Sequence, residues 1–221
     1  MLASVSGKEK NDFWDGKETI EIVLSNAEPL LTDALLMSIH ERQKIFTRFA
    51  LDDALPKRIN EAAALIFDVF NRRGRVFICG NGGSLCQAMH FAEECTGRFR
   101  KDRQPLPVIA LADASHITCV ANDFGFDEVF ARPIEALGQI DDVLLVLSTS
   151  GNSPNILRAI ESAKSRKMKV IGLLGRSGGQ AGAACDLCLL APGETSDTIQ
   201  EIHQVVLHVW VEEIERKMGL N

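Results

Sequence analysis

The sequence predicts an α/β fold in which a parallel sheet of about five strands, in flavodoxin-like order, is sandwiched by helices. Three observations carry that expectation. Short runs rich in Val, Ile and Leu recur between residues 75 and 190, and strands this evenly apolar belong to sheets covered on both faces. They alternate with stretches whose apolar residues recur every three or four positions, the repeat that gives an α-helix one buried stripe. Two of the runs end in loops of glycine and hydroxyl residues, and in open parallel sheets ligands bind at the carboxyl ends of the strands, where the strand order reverses.

Residues 1 to about 30 are polar, contain the patch Phe13-Trp14-Asp15-Gly16 and show little periodicity. They read as an N-terminal extension whose order the sequence leaves open, ahead of one domain over 31–221. Amphipathic helices are expected from Leu30 to about Phe49 and from Leu55 to Arg72, where Ile59, Ala62, Ala63, Ile66, Phe67 and Phe70 form a stripe and Gly74 ends the second helix. The strands are expected at Arg75–Cys79, Leu106–Leu111, Asp142–Leu147, Lys169–Leu174 and Leu187–Leu190, joined by right-handed crossovers. A long amphipathic segment from Asp197 to Met218 closes the chain, with Asp197 as N-cap and Gln200 as its capping-box partner. The N-terminal helices and the last helix carry more apolar positions than a small sheet can cover, so a closed homo-oligomer, a tetramer, is expected.

With 221 residues, 46% hydrophobic and 24% charged, the chain suits one compact domain with a real core. A net charge of -6 argues against nucleic-acid and membrane-surface partners, which recruit clustered Lys and Arg, so an anionic ligand has to be held locally. Apolar runs such as Val143 to Leu147 fall far short of the ~20 residues that span a bilayer, and the first ten residues lack the apolar centre of a signal peptide. A cytoplasmic protein is expected. Its six cysteines lie mostly in apolar segments and read as reduced thiols. Cys185 and Cys188 have CxxC spacing, but without a second pair they read as packing residues.

The loops Gly80-Asn81-Gly82-Gly83-Ser84 and Ser148-Thr149-Ser150-Gly151-Asn152-Ser153 each open into a helix. Glycines let backbone N–H groups turn toward an anion, hydroxyls add donors, and a helix N-terminus adds a positive dipole end, so together the loops suit a phosphate. Neither is a Walker A motif, and the first lacks GxGxxG spacing. Either loop alone is also compatible with a plain turn. His90 and Glu94 sit four apart on the helix after the first loop, roughly 40° apart around its axis, which suits a shared metal, an acid/base pair, or simply a solvated His–Glu pair. The last helix offers Gln200, His203 and His208, of which His203 reads as structural.

Taken together, GNGGSLCQAMHFAEECTGRF, NDFGF, LSTSGNSPN and DTIQEIHQVVLH are similar to the phosphoheptose isomerases of the sugar-isomerase (SIS) family, over about Leu31 to Met218. The resemblance implies a homotetramer with sites at subunit interfaces. It implies conversion of D-sedoheptulose 7-phosphate to D-glycero-D-manno-heptose 7-phosphate through an enediol, feeding heptose synthesis for cell-surface polysaccharide. Carried over by motif, Ser84, Ser148, Ser150 and Ser153 would bind phosphate, and Asn81, Asp123, Thr149 and Asp197 the sugar, with Gly82, Gly83 and Asn122 also in the substrate site. His90, Glu94, Gln200 and His208 match zinc ligands (one Zn2+ per subunit or active site), and Glu94 with His208 also matches a proton-transfer pair. Gln200 and His208 are about 12 Å apart along a straight helix and roughly 80° around it. Both reach one ion only if fully stretched, if the helix kinks, or if different subunits supply them, and a direct sugar contact is the other role open to Gln200. The longer N-terminus departs from the family. A noncatalytic SIS module that senses a sugar phosphate, or serves replication initiation, is the rival reading, against which Glu94 and His208 argue for an enzyme. A hexose-phosphate isomerase or aminosugar synthase domain would share the phosphate loop but lack the His90/Glu94 and Gln200/His208 pairs.

Overall fold

The computed structural model describes residues 33–220, so the N-terminal extension and its aromatic patch lie outside the described residues. Residues up to Glu41 form a unit of their own, of which the start of helix α1 (Asp33–Ala50) is described. All that follows concerns the unit from Arg42 onward. There α2 (Leu55–Asn71), β1 (Val76–Gly80), α3 (Gly83–Thr96), β2 (Val108–Ala110) and α4 (Ala114–Asp123) lead through a 3-10 turn to α5 (Ala131–Leu137). Then come β3 (Val143–Ser148), α6 (Pro154–Ser165), β4 (Lys169–Gly175), α7 (Gly179–Ala184), β5 (Leu187–Ala191) and α8 (Ser196–Lys217).

The strands form one sheet in the order β2-β1-β3-β4-β5, parallel throughout, with Val76 beside Val108 on one side and Val143 on the other. This is the expected flavodoxin-like order. Because strand side chains alternate between faces, the unbroken apolar runs feed two cores. Ile78, Leu145, Leu147 and Ile171 pack with Ile66 of α2, Phe91 of α3 and Trp210 of α8. Phe77, Leu144, Val146 and Val170 pack with Val120, Phe130, Ile134 and Ile156 on the other face. The edge strand β2 is three residues of an expected six; Pro107 at its start has no N–H for the ladder, and the Leu106 N–H is spent on the Cys95 carbonyl at 2.9 Å.

The end of α2 is reached as expected, by a local geometry of its own, and the start of the last helix is placed differently. After α2 the left-handed residue is Arg73, at φ 62°, not Gly74. The Gly74 N–H closes on the Val69 carbonyl at 2.9 Å, and glycine is needed because a Cβ there would overlap the Asp141 carbonyl. At the last helix the N-cap is Thr195, in extended conformation, and Asp197 sits inside the first turn. Asp197 is not the cap because its carboxylate accepts from Arg42 Nη2 at 2.8 Å, while Thr198 Oγ1 donates to the Thr195 carbonyl at 3.0 Å. The Thr195 hydroxyl and Arg42 hold the Asp197 carboxyl below its ordinary range.

His203 is fully buried, as its structural reading requires. Neither ring nitrogen makes a well-formed hydrogen bond, and burial, opposed only by the nearby Leu174 backbone, pushes its pKa from 6.5 down to about 4. The unfolded chain binds a proton near pH 6.5 that the folded chain refuses until about pH 4, so this stability is present above 6.5 and is lost as pH falls toward 4. Between pH 7 and pH 5 the loss should be about 2 kcal/mol. Urea titrations should show that slope shrinking in His203→Phe; an equal slope would assign the acid sensitivity elsewhere.

Candidate active site

Both expected loops lie at the carboxyl ends of adjacent strands. The β1–α3 turn and the β3–α6 turn together line a pocket of about 140 Å³ containing Asn81, Ser84, Ser148, Thr149, Ser150, Ser153, Ser196 and Gln200. The 14-residue α3 and the 12-residue α6 both begin here, so two positive dipole ends meet at one place. Gly151, at φ 65°, makes the second turn tight enough that a Cβ would overlap the Gly178 backbone. Ser148 Oγ accepts from the Gly151 N–H at 3.0 Å and Ser150 Oγ from the Asn152 N–H at 3.2 Å. A hydroxyl that accepts still has its proton to donate, so these bonds orient the serines and leave their O–H groups for an anion.

Asn155 and Ser196, which no periodicity singles out, complete the cradle. Asn81 and Asn155 exchange amide hydrogen bonds at 2.8 Å in each direction, fixing the first turn against α6. Thr149 Oγ1 lies 3.1 Å from Ser196 Oγ, tying the second turn to α8. Gly82 and Gly83 are exposed at the turn. Asn122 and Asp123 are not brought to this pocket; they are exposed at the end of α4 and bond to each other at 2.7 Å.

Farther along α3, where it packs beside α8, lies a second group. Glu94 Oε1 is 3.1 Å from His90 Nε2 and 3.3 Å from His208 Nε2, and the two imidazole nitrogens are 3.3 Å apart. Phe99 stacks on His208 with ring centroids 5.8 Å apart. Glu94 is 6% exposed; burial raises its pKa above the ordinary carboxylate range, with His208 and then His90 acting against it. Its Oε2 is buried without a hydrogen-bond partner. Ligand atoms bound tetrahedrally to one ion at 2.0–2.1 Å would be separated by roughly 3.3–3.4 Å. The observed spacing, the mixed N/O donors and the orphaned carboxylate oxygen therefore fit a divalent metal, and this is the one such His/Cys/Asp/Glu group among the described residues.

Within one chain the Gln200 side chain lies in the cradle, its Nε2 3.4 Å from Ser84 Oγ. Eight residues of continuous helix separate it from His208. The amide beside His208 is that of Gln204, with Nε2 at 2.8 Å from His208 Nε2; its i,i+4 spacing to His208 was the available signal. Cys185 and Cys188 are free and partly buried, and burial raises both thiol pKa values, that of Cys185 to about 12, in keeping with packing residues.

A doubly wound sheet that aims two serine-lined turns at one pocket, with a buried carboxylate between two imidazoles on the same helix pair, defines a phosphate-binding enzyme frame. Residues 39–175 match the SIS domain family. The phosphoheptose isomerase of Fusobacterium nucleatum is 46% identical over 83% of this chain and 95% of its own length, and that of Histophilus somni 49% identical over 82% and 93%. The structure of a phosphoheptose isomerase from Francisella tularensis superposes with a TM-score of 0.80 at 38% identity, covering 84% of this chain and 100% of the other. The chain belongs to the SIS-domain family and, within it, to the phosphoheptose isomerases.

Proposed function

We propose that this protein is an aldose–ketose isomerase that converts D-sedoheptulose 7-phosphate to D-glycero-D-manno-heptose 7-phosphate in the cytoplasm, supplying heptose for cell-surface polysaccharide. The observation that carries the reading is the layout of α3: a phosphate cradle at its start and, from about 9 to 15 Å farther along its axis, His90 and a buried Glu94 facing His208. An extended seven-carbon sugar with phosphate on C7 has its reacting C1 and C2 at the far end, so the two groups suit opposite ends of one substrate.

The serines hold the phosphate, and that remote binding energy positions the reacting carbons. Glu94 Oε2 takes the proton from C1, giving an enediol, and returns it to C2, while Oε1 stays with the imidazoles. His208 moves a proton between O1 and O2. A carboxylate of raised pKa suits this work, since proton transfer is best served by a group whose pKa approaches the working pH. His90, Glu94 and His208 would hold Zn2+, which when bound would polarise the carbonyl and stabilise the charge developing on its oxygen. Asn81, Thr149 and Gln200 in the cradle would contact the sugar, as would Asp197 at the start of α8.

The cradle, at about 140 Å³, is smaller than the 300–1,000 Å³ usual for small-molecule sites, so walls for the sugar should come from a second copy. Met89 of α3 and Val205 of α8 are exposed apolar side chains, and Asn122 and Asp123 are available to a neighbouring subunit's sugar. We expect a homotetramer; a monomer by light scattering at working concentration would contradict this. Among the described residues no helix is long and apolar enough to cross a membrane.

Incubation of the purified protein with sedoheptulose 7-phosphate, followed by NMR, tests the activity. No conversion with or without zinc would leave a sugar-phosphate-binding regulator. In an active enzyme, the double substitution Ser150→Ala with Ser153→Ala should raise KM at least about tenfold with a smaller change in kcat, because hydrogen bonds to a charged group contribute about 1.5–3 kcal/mol in ground and transition states alike. An unchanged KM would remove these serines from the phosphate site.

A further inference from the structure

The cradle offers an anion neutral donors: among the described residues that line it there is no Lys or Arg. Two of its lining residues, Ser196 and Gln200, lie at the start of α8, and each is followed by a carboxylate, Asp197 and Glu201. Adjacent residues lie inside the Debye length of about 10 Å at 0.1 M salt, so both carboxylates would repel a phosphate in the cradle. Four positions apart, they also share one face of the helix and repel each other. Arg42 of α1, in the same unit as the cradle, bridges this pair. Its Nη2 donates to Asp197 Oδ2 at 2.8 Å and its Nε to the Glu201 carboxylate at 2.8 Å. A guanidinium keeps its charge at any working pH. The Arg42 side chain is 24% exposed and those of Asp197 and Glu201 are 62% and 40%, so water screens the group and its field should depend on salt.

We propose that Arg42 is the charge-compensating residue of the phosphate site: by bridging Asp197 and Glu201 it offsets their negative field at the start of α8, so that a cradle of neutral donors can take a phosphate dianion. This rests on the reading of the cradle as a phosphate site. Arg42 is a positioning residue, since it acts through the two carboxylates and not on the reacting carbons. Its contribution is the same in ground and transition states, so its loss should raise KM with little change in kcat. Charges at the rim of a binding site act chiefly through the field they set up, and the effect should therefore shrink as salt is added.

The experiment titrates inorganic phosphate into full-length protein by calorimetry, at low salt and at about 0.15 M, and measures KM and kcat for sedoheptulose 7-phosphate in parallel. Arg42→Met should weaken phosphate binding about three- to tenfold at low salt and less at the higher salt, with KM following and kcat within about twofold. Arg42→Lys, which keeps the charge, should stay within about twofold of wild type. Glu201→Gln removes one of the repelling charges and should tighten binding about twofold. Combined with Arg42→Met, it should return affinity to near the wild-type value. Were Arg42 only a fastener between α1 and α8, Glu201→Gln would weaken binding as Arg42→Met does, and the double variant would recover nothing; either result overturns the assignment. A loss in Arg42→Met that is unchanged by salt overturns it as well, as does a wild type that binds no phosphate. If wild type binds phosphate without converting sedoheptulose 7-phosphate, the isomerase reading fails, and the binding series alone then decides Arg42.

Discussion

Glu94→Gln should lower turnover by about 10² or more while leaving KM within a few fold. The substitution keeps the side chain's shape and one oxygen for the imidazoles, yet removes the buried carboxylate that, among the described residues, lies within reach of both His90 and His208. The residual rate would come from positioning by the cradle, which the substitution does not touch. Near wild-type turnover would remove Glu94 as the base. Solvent deuterium gives an independent reading: proton exchange at the carboxylate places label on C2 of the aldose, whereas a direct hydride shift leaves it unlabelled. His208→Asn should also depress turnover, and metal content measured in the same preparation separates lost proton transfer from a lost ligand.

Arg103→Met should destabilise the protein by about 3–5 kcal/mol, because it strands a buried charge. The Arg103 side chain is 1% exposed and its Nε is 3.0 Å from Glu215 Oε1, itself 4% exposed. Its two terminal nitrogens donate to the Glu94 and Cys95 carbonyls at 2.6 and 2.7 Å, at the C-terminal end of α3. One guanidinium therefore neutralises a carboxylate of α8 and caps the helix that carries Glu94. Replacing Glu215 with Leu as well should recover much of the loss, since an apolar pair of similar volume tolerates a dry site that a lone carboxylate does not. Urea denaturation at fixed protein concentration measures both changes; a single variant within 1 kcal/mol of wild type would show that water reaches the pair.

Much of this was legible from local spacing. Five apolar runs, two hydroxyl-rich loops after the first and third, and His90 four residues before Glu94 are features of neighbouring positions, and the strand and helix periods convert such spacing directly into direction. Gly74 stands where the chain leaves α2, as expected, but its reason is not local: a Cβ there would overlap the Asp141 carbonyl, while Arg73 takes the left-handed turn. Asp197 had the right residue type for a cap but is held by Arg42, 155 positions away.

By itself, then, the sequence determined the parallel sheet, the cradle and the candidate carboxylate, since each follows from dihedral periods and from the residue types that tight turns and anions require. Only the tertiary structure decided what meets what across elements. The side-by-side packing of α3 and α8 brings His208 to Glu94, sets the Gln200 amide beside Ser84 and that of Gln204 beside His208, and buries Arg103 against Glu215. The reason is physical: which face of one helix opposes which face of another is set by the packing of the whole apolar core, a sum over distant residues that no local window contains.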